Sequence, residues 1–227
     1  KMKKLAVLAL MVLPLVLPQA AWAQAPTANA FRIAEARQAN ANLMRQFAWE
    51  SRTEILSKGE VKDVRVDAMG YGPDGQPQRN NISDDKAPVR GLIFRQLAAD
   101  RAAREIKDYL EGLRGILEQY TLPNPGAVQD FLDRSAATGP DAQGLFQLTG
   151  RNVVQPGDTF TMWIDPQTRQ PVSVQVSTTF NGDPVTLNAS YRTLAPFGLN
   201  YVEFANVVAP AKQLEVQVHN YNYYRKF

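Results

Sequence analysis

The sequence contains no cysteine, and its 227 residues include one histidine, His219. The lack of cysteine excludes disulfides and any zinc site built on thiolates. One histidine is too few for a metal site made of several imidazoles, and a catalytic triad would have to use His219. We therefore expect a protein without a metal or a cofactor, whose stability comes from burial of an apolar core.

Motifs of common catalytic centres are lacking as well. The sequence has no G-x-S-x-G, no phosphate-binding loop and no H-E-x-x-H. His219 has the same parity as Glu215 and Gln217 in a predicted strand, a pattern typical of a histidine on a solvated strand face. We predict no catalytic residue and no enzymatic activity.

Two carboxylate pairs leave a hydrolase of unknown type as an alternative, because paired acids can act as general acid and base. Asp63 and Asp67 share their parity with Arg65, which fits a solvated strand face. Asp84 and Asp85 follow asparagine and serine residues, a composition typical of a loop. These patterns favour ordinary structural positions for all four carboxylates.

The N-terminal segment has the layout of a cleavable secretory signal. Three lysines among the first four residues precede an uncharged apolar run, Leu5–Leu17, and Ala21-Trp22-Ala23 places small residues at the two positions that signal peptidase recognises. The run is shorter than the roughly 20 residues of a membrane span. We expect a signal peptide at residues 1–23, a mature chain from Gln24, and a periplasmic or secreted protein.

Removal of this segment would change the charge of the protein. Its lysines account for three of the 25 basic residues, which leaves 22 basic against 22 acidic residues. A chain without net charge lacks the basic excess that binds phosphate backbones, so we expect no nucleic-acid partner.

Helical periodicity predicts three helices. Phe31–Gln46 is rich in alanine and free of glycine and proline. Leu97–Tyr120 carries apolar residues spaced by three and four on one side and charged residues on the other. A shorter helix, Pro125–Ala136, follows an asparagine–proline start signal. The last two helices form a helical insertion at about residues 95–136.

Alternation of apolar and polar residues predicts a mainly antiparallel sheet around this insertion. The turn Asn181-Gly182-Asp183-Pro184 is the strongest hairpin signal in the sequence. The predicted strands are Ala48–Leu56, Val61–Met69, Gln78–Ile82, Thr159–Ile164, Val172–Phe180, Val185–Tyr191, Tyr201–Val208 and Leu214–Tyr223. This order of elements predicts an α+β fold in one domain, residues 24–227.

A hairpin in the second half of the chain resembles a known family. Trp163–Val174 has the sequence WIDPQTRQPVSV and precedes a strand and the Asn181–Pro184 turn, and the first helix runs into a strand at Phe47–Glu50. These features resemble a divergent member of the superfamily of periplasmic lipoprotein carriers and outer-membrane lipoprotein-sorting proteins (LolA-like and LolB-like). The resemblance implies a half-barrel, a single strongly curved antiparallel β-sheet with helices packed on its concave face. It also implies an apolar cavity that receives acyl chains.

The residues that we expect to line such a cavity come from the long helix and from two tryptophans. We predict an apolar ligand-binding site formed by Tyr109, Leu110, Leu113, Leu117, Trp49 and Trp163. The alternative is that the helix stripe is ordinary core beneath the sheet, since apolar pockets are few in any protein. The spacing of the stripe fits both interpretations.

The function that the resemblance implies is binding of a lipid or an acylated protein partner, with peripheral contact with a membrane. The C-terminal segment leaves a second class open, an outer-membrane-associated or surface structural β-protein. Tyr221, Tyr223 and Phe227 supply the alternate aromatic residues that such proteins carry there. The long charged helix argues against that class, because membrane-spanning β-proteins cross with strands alone. The sequence indicates no particular oligomeric state.

Overall fold

A computed structural model describes residues 26–86, 93–121 and 125–226, without the side chains of 26–31, 84–86, 93–103 and 125. The predicted signal peptide at residues 1–23 lies outside the described residues, and so does Phe227. Within the described residues the chain forms an antiparallel sheet of ten strands accompanied by three α-helices. The predicted α+β class is therefore confirmed.

The sheet is open, and its strands follow the order β3-β2-β1-β10-β9-β8-β7-β6-β5-β4. β3 and β4 are consequently its two edges, while the last strand in sequence pairs with the first. The bounds are β1 Phe47–Ser57, β2 Glu60–Tyr71, β3 Pro77–Lys86, β4 Ala136–Thr138, β5 Phe146–Arg151, β6 Thr159–Ile164, β7 Pro171–Phe180, β8 Asp183–Leu194, β9 Leu199–Ala209 and β10 Leu214–Arg225.

The three helices lie close to their predicted positions. They are α1 Pro26–Met44, α2 Ile93–Gln119 and α3 Pro125–Arg134, and a short 3₁₀ helix, Pro210–Lys212, joins β9 to β10. Among the described residues, none of the helices combines the length and the apolar character that a membrane crossing requires.

The β6–β7–β8 meander is antiparallel, as predicted. Trp163 lies opposite Ser173 between β6 and β7, and Val176 lies opposite Leu187 between β7 and β8. Asn181 and Gly182 both have positive φ, 53° and 84°, which is the backbone of a tight hairpin turn whose twist matches that of the strands. The hairpin prediction is confirmed because asparagine and glycine are the residues that accept this conformation at low cost.

The two faces of the sheet have different surroundings. In β6 the side chains of Phe160, Met162 and Ile164 are buried in a core beneath the helices, and we call this side of the sheet the helix face. The alternate residues, Thr161 and Trp163, point to the opposite side, the outer face, because successive side chains of a strand alternate.

The larger core cluster joins all three helices to the sheet. Ile33 of α1 and Val128 and Phe131 of α3 are buried with Phe160 and Met162. Gly150 of β5 permits the close approach of α3, since a Cβ at that position would lie 2.8 Å from the Phe131 ring. Burial of a phenylalanine of this kind contributes about 1.5–3 kcal/mol, so this contact fixes the position of α3.

β9 and β10 are paired over only part of their length. Their pairing extends from Ala209 opposite Leu214 to Phe204 opposite His219. Nearer the start of β9, α1 occupies the position beside the strand. Asn40 donates from Nδ2 to the Asn200 carbonyl at 2.7 Å and accepts the Asn200 N–H at Oδ1 at 2.8 Å.

Two expectations about carboxylates are wrong. Asp67 is not on a solvated face; its side chain is 2 % exposed, Arg79 Nε donates to it at 2.6 Å, and Arg65 Nε lies 3.3 Å away. Asn81 of β3 lies opposite Asp67 in the strand pairing, and the two guanidinium groups offset the cost of burying its charge. Asp84 and Asp85 lie in strand β3 and not in a loop, so the strand is longer than its apolar residues indicate.

Candidate functional site

The underside of α2 packs on the helix face through a cluster of apolar side chains. Tyr109 and Leu113 are buried together with Val185, Ala209 and Leu214, which come from β8, β9 and β10; we call these five residues the α2 cluster. Leu117 packs against this cluster and also against the larger core cluster, so the apolar layer is continuous along the described second half of the helix. Leu110 is only partly buried.

Tyr109 combines an apolar ring contact with an unsatisfied hydroxyl. Its ring lies edge-on to that of Phe180, with 5.0 Å between the ring centres, and Lys212 Nζ lies 5.7 Å from the ring centre. The hydroxyl oxygen is buried and has no hydrogen-bond partner among the described residues. Burial, reinforced by the negative charge of Asp183, raises the pKa of Tyr109. Tyr109 therefore places an unpaired polar atom inside an apolar layer.

Apart from the approach of Lys212 to the Tyr109 ring, no described hydrogen bond or ion pair ties the middle of α2 to the sheet. Among the described residues, the side-chain hydrogen bonds and ion pairs of Ile106–Gln119 stay within the helix, as in Lys107–Glu111 and Arg114–Glu118. Contact with the sheet therefore depends on the apolar side chains that α2 presents. Contacts of this type are not directional, which allows one apolar partner to replace another.

A buried polar network holds the chain just beyond the end of α2. The Tyr120 hydroxyl donates to Asp158 Oδ2 at 2.7 Å, and Thr178 Oγ1 lies 2.9 Å from the same hydroxyl. Asp158 also accepts three backbone N–H groups, from Val153, Val154 and Gln155. Burial alone would raise the pKa of Asp158, but these hydrogen bonds together hold it below its ordinary value. The sequence analysis missed this anchor, although the Pro156-Gly157-Asp158 turn was a visible signal.

Trp49 lies in an aromatic cluster of its own. Its ring stacks on that of Tyr223 at 5.5 Å with 9° between the planes, and Tyr71 approaches from the other neighbouring strand. Tyr201 of β9 reaches Tyr223 at 4.1 Å near the place where β9 and β10 separate. Burial, with smaller contributions from Tyr201 and Tyr71, raises the pKa of Tyr223. The core clusters beneath α2 do not include Trp49.

Trp163 lies on the outer face, where it borders an open recess of about 340 Å³. The residues that line this recess are Trp163, Ser173, Val174, Gln175, Asn188, Ala189, Ser190 and Phe204. The parity of β6 in the sequence already separates Trp163 from Phe160 and Met162, although it does not tell which of the two faces the helices cover.

The six predicted ligand-binding residues thus lie in three places. Tyr109, Leu113 and Leu117 are together beneath α2, with Leu110 beside them on the same helix. Trp49 belongs to the aromatic cluster, and Trp163 faces the opposite side of the sheet.

Groups that could hold a metal ion are not assembled in the described part of the chain. No cluster of three or more histidine, aspartate or glutamate side chains is present among the residues that the structure describes. His219 is exposed, and its nearest aromatic neighbour is Tyr221, with ring centres 5.7 Å apart.

Comparisons with known proteins give similarity in structure only. The sequence matches no family model and no curated protein. A DUF1329 family protein from Desulfovibrio piger has a TM-score of 0.39 and 10% identity, over 88% of this chain and 93% of that one. A LolA superfamily protein from Nitrosomonas europaea has a TM-score of 0.35 and 10% identity, over 87% and 94%. An outer membrane lipoprotein-sorting protein domain from Vibrio parahaemolyticus has a TM-score of 0.37 and 11% identity, over 87% and 93%.

One of these structures is described as a LolA superfamily protein and another as an outer membrane lipoprotein-sorting protein domain, so this chain is similar in structure to proteins of the kind that its Trp163–Val174 hairpin resembles. At TM-scores below 0.5, the likeness carries no argument about what this protein binds.

Proposed function

We propose that this protein binds an acyl chain, from a lipid or from an acylated partner protein, between α2 and the sheet. In this proposal the protein acts outside the cytoplasm, in the periplasm or after secretion, with peripheral contact with a membrane and without catalysis. The domain spans residues 24–227, and the helices lie on the concave face of a strongly curved sheet. Tyr109, Leu113 and Leu117 contact the ligand, with Leu110 at the margin.

The observation that carries the proposal is the way in which α2 is held. Ile106–Gln119 contacts the sheet through apolar side chains, while its described ion pairs stay within the helix. An acyl chain could take over these contacts without breaking a hydrogen bond, and each methylene that it buries would contribute about 0.8 kcal/mol. The unpaired hydroxyl of Tyr109 supports the same site, because it could donate to a carboxyl or ester oxygen.

Thiol labelling tests the proposal directly, because the chain has no native cysteine. Leu113→Cys places a thiol in the α2 cluster, where the native side chain is 3 % exposed. We expect a fatty acid, or vesicles that contain it, to accelerate modification of this thiol as the ligand separates α2 from the sheet. Leu148→Cys is the matched control, since Leu148 is buried in β5 within the larger core cluster.

Native mass spectrometry of the exported protein provides the second measurement. We expect a co-purifying lipid, lost when Leu113 is replaced by a polar residue. Absence of bound lipid, together with equal labelling of the two cysteine variants with and without fatty acid, would leave α2 as ordinary core and would favour the structural β-protein instead.

A further inference from the structure

The recess on the outer face results from a particular row of side chains. Trp163, Ser173, Ser190 and Phe204 are consecutive cross-strand neighbours on β6, β7, β8 and β9. The two serines leave a gap between the aromatic side chains, whose strands are about 14 Å apart at the usual strand spacing. The two serine hydroxyls therefore form the floor of the recess, and the aromatic rings of Trp163 and Phe204 flank it on either side. Phe204 is 38 % exposed.

Amide side chains border this floor in the next row. Gln175 of β7 lies opposite Asn188 of β8, and both side chains are exposed. Among the described residues, neither amide and neither serine of the recess takes part in a side-chain hydrogen bond. Amides and hydroxyls both donate and accept hydrogen bonds, so these four groups are available to a ligand with the same dual capacity.

The lining of the recess excludes several ligand classes. None of the eight lining residues is ionisable, so the recess offers no counter-charge for a phosphate, a carboxylate or a metal ion. Beside it, Arg192 and Glu203 are paired with each other, with Nη1 2.5 Å from Oε1. An acyl chain would leave the amides and hydroxyls desolvated without partners, which is unfavourable.

A peptide strand does not fit either. Strand addition requires a free sheet edge, whereas β7 and β8 lie in the interior of the sheet and are paired on both sides. The ligand must therefore be small, uncharged, rich in hydroxyl groups and able to stack an apolar surface on an aromatic ring.

We propose that this recess binds a neutral saccharide. One face of a pyranose ring carries C–H groups that stack on the Trp163 indole, while its hydroxyls bond to Gln175 and Asn188. The volume of about 340 Å³ lies at the lower end of the range for small-ligand sites, about 300–1,000 Å³, and suits one or two sugar units. The site is on the opposite side of the sheet from the α2 cluster and does not depend on acyl binding.

Titration of the isotope-labelled protein with maltose, cellobiose and lactose, followed by NMR, tests the proposal. We expect chemical-shift changes confined to β6–β9 with at least one of these sugars, and a dissociation constant on the order of 1 mM. Trp163→Ala should weaken that binding by about tenfold or more, because it removes the stacking surface. Thr186→Ala, on the same face of β8 but outside the recess, is the matched control and should bind as the native protein does.

A blocking variant keeps the test independent of the aromatic residue. Ser190→Gln fills the floor of the recess at a partly exposed position, so the protein should remain folded and fail to bind. Lack of shift changes with all three sugars overturns the proposal, and so does unchanged binding in both Trp163→Ala and Ser190→Gln.

Vesicles distinguish the two sources of such a sugar. Sedimentation of the protein with phosphatidylcholine vesicles that contain a neutral galactolipid, but not with plain vesicles, identifies a lipid headgroup. Binding of the disaccharide without sedimentation identifies a soluble glycan. Both results support saccharide binding, provided that Ser190→Gln abolishes them.

Discussion

Phe180 packs the end of its ring against Gly112 of α2, so closely that a Cβ added at Gly112 would lie 2.6 Å from Phe180 Cζ. Gly115, three residues later in the same helix, has nothing within 4 Å of the corresponding position. One glycine therefore permits the contact between α2 and β7, while the other has no such neighbour.

The two glycines predict opposite responses to alanine. Gly115→Ala should stabilise the protein by up to about 1 kcal/mol, because alanine is the better helix former. Gly112→Ala gains the same helix propensity but must displace the Phe180 ring from Tyr109, at a cost of about 1–3 kcal/mol. Urea unfolding of both variants measures the difference. Equal stability of the two would show that Phe180 moves aside without cost.

Leu113 and Leu148 form a second matched pair. Leu113→Ala should cost well under the roughly 2–5 kcal/mol typical of a filled core, because α2 can settle onto the shortened side chain. Leu148→Ala, in the core beneath α3, should cost an amount within that range. The free energy of unfolding of each variant, from urea titration, checks this expectation.

Affinity for a fluorescent fatty acid separates the same two variants. Leu113→Ala should weaken binding of the probe, whereas Leu148→Ala should leave the affinity unchanged after correction for the unfolded fraction. Large losses of stability in both variants of a protein that never binds the probe would identify the α2 cluster as plain core.

Removal of the Tyr120 hydroxyl should loosen the anchor at the end of α2. Tyr120→Phe deletes the donor to Asp158 while leaving the ring in place, and should cost about 1–3 kcal/mol because a buried carboxylate loses a hydrogen bond. Tyr224→Phe removes a hydroxyl from a side chain that is 60 % exposed and should change stability by less than about 0.5 kcal/mol. Thermal or urea unfolding at neutral pH measures both.

The same anchor predicts a dependence of stability on pH. The pKa of Asp158 is lower in the folded protein than in the unfolded chain, so its contribution is complete above the unfolded value of about 3.9 and is lost as the pH falls toward the folded value. Tyr120→Phe removes one of the hydrogen bonds that lower the pKa of Asp158. The free energy of unfolding of this variant should therefore decrease less steeply than that of the native protein as the pH falls. If the free energy of unfolding had the same pH dependence below pH 4 in both proteins, this role for the Tyr120 hydroxyl would be contradicted.

Processing of the N-terminus remains a prediction from the sequence. Export should yield a chain that begins at Gln24, because Ala21 and Ala23 fit the small pockets of signal peptidase. Ala23→Phe should block cleavage, since a large side chain cannot enter the second pocket. Intact-mass measurement of the exported protein checks both outcomes, and retention of residues 1–23 in the native protein would contradict the predicted compartment.

The meander from Thr159 to Leu194 could be predicted from the sequence because its signals are local. Alternating residues identify a half-buried strand, and Asn181-Gly182 identifies the turn that joins two of them. The same alternation divides Phe160 and Met162 from Trp163, but it does not state which face the helices cover. That choice depends on contacts with α1 and α3, which are distant in sequence.

The burial of Asp67 and Asp158 could not be predicted from local sequence patterns for the same reason. Asp67 has the parity of a solvated residue, and only its pairing with a long third strand brings Arg79 close enough to bury it. Asp158 is buried by Tyr120, 38 residues earlier in the chain. Separations of this size leave no periodic trace in a sequence, so the candidate site could be predicted as a helix stripe but not with its anchor.

The two hydrogen bonds between Asn40 and Asn200 are of the kind that the backbone of an adjacent strand would make with Asn200. The Asn40 amide satisfies the N–H and C=O groups of Asn200, and Asn220 Nδ2 of β10 donates to the Val202 carbonyl at 2.9 Å, so side chains take the place of backbone pairing beyond Phe204. α1 thereby occupies the place between the start of β9 and β10, where the two strands are not paired. Any event that withdrew α1 would leave the backbone groups of Asn200 without these partners. The β9–β10 pairing could then extend toward Asn200, or β9 could pair with a strand from another chain.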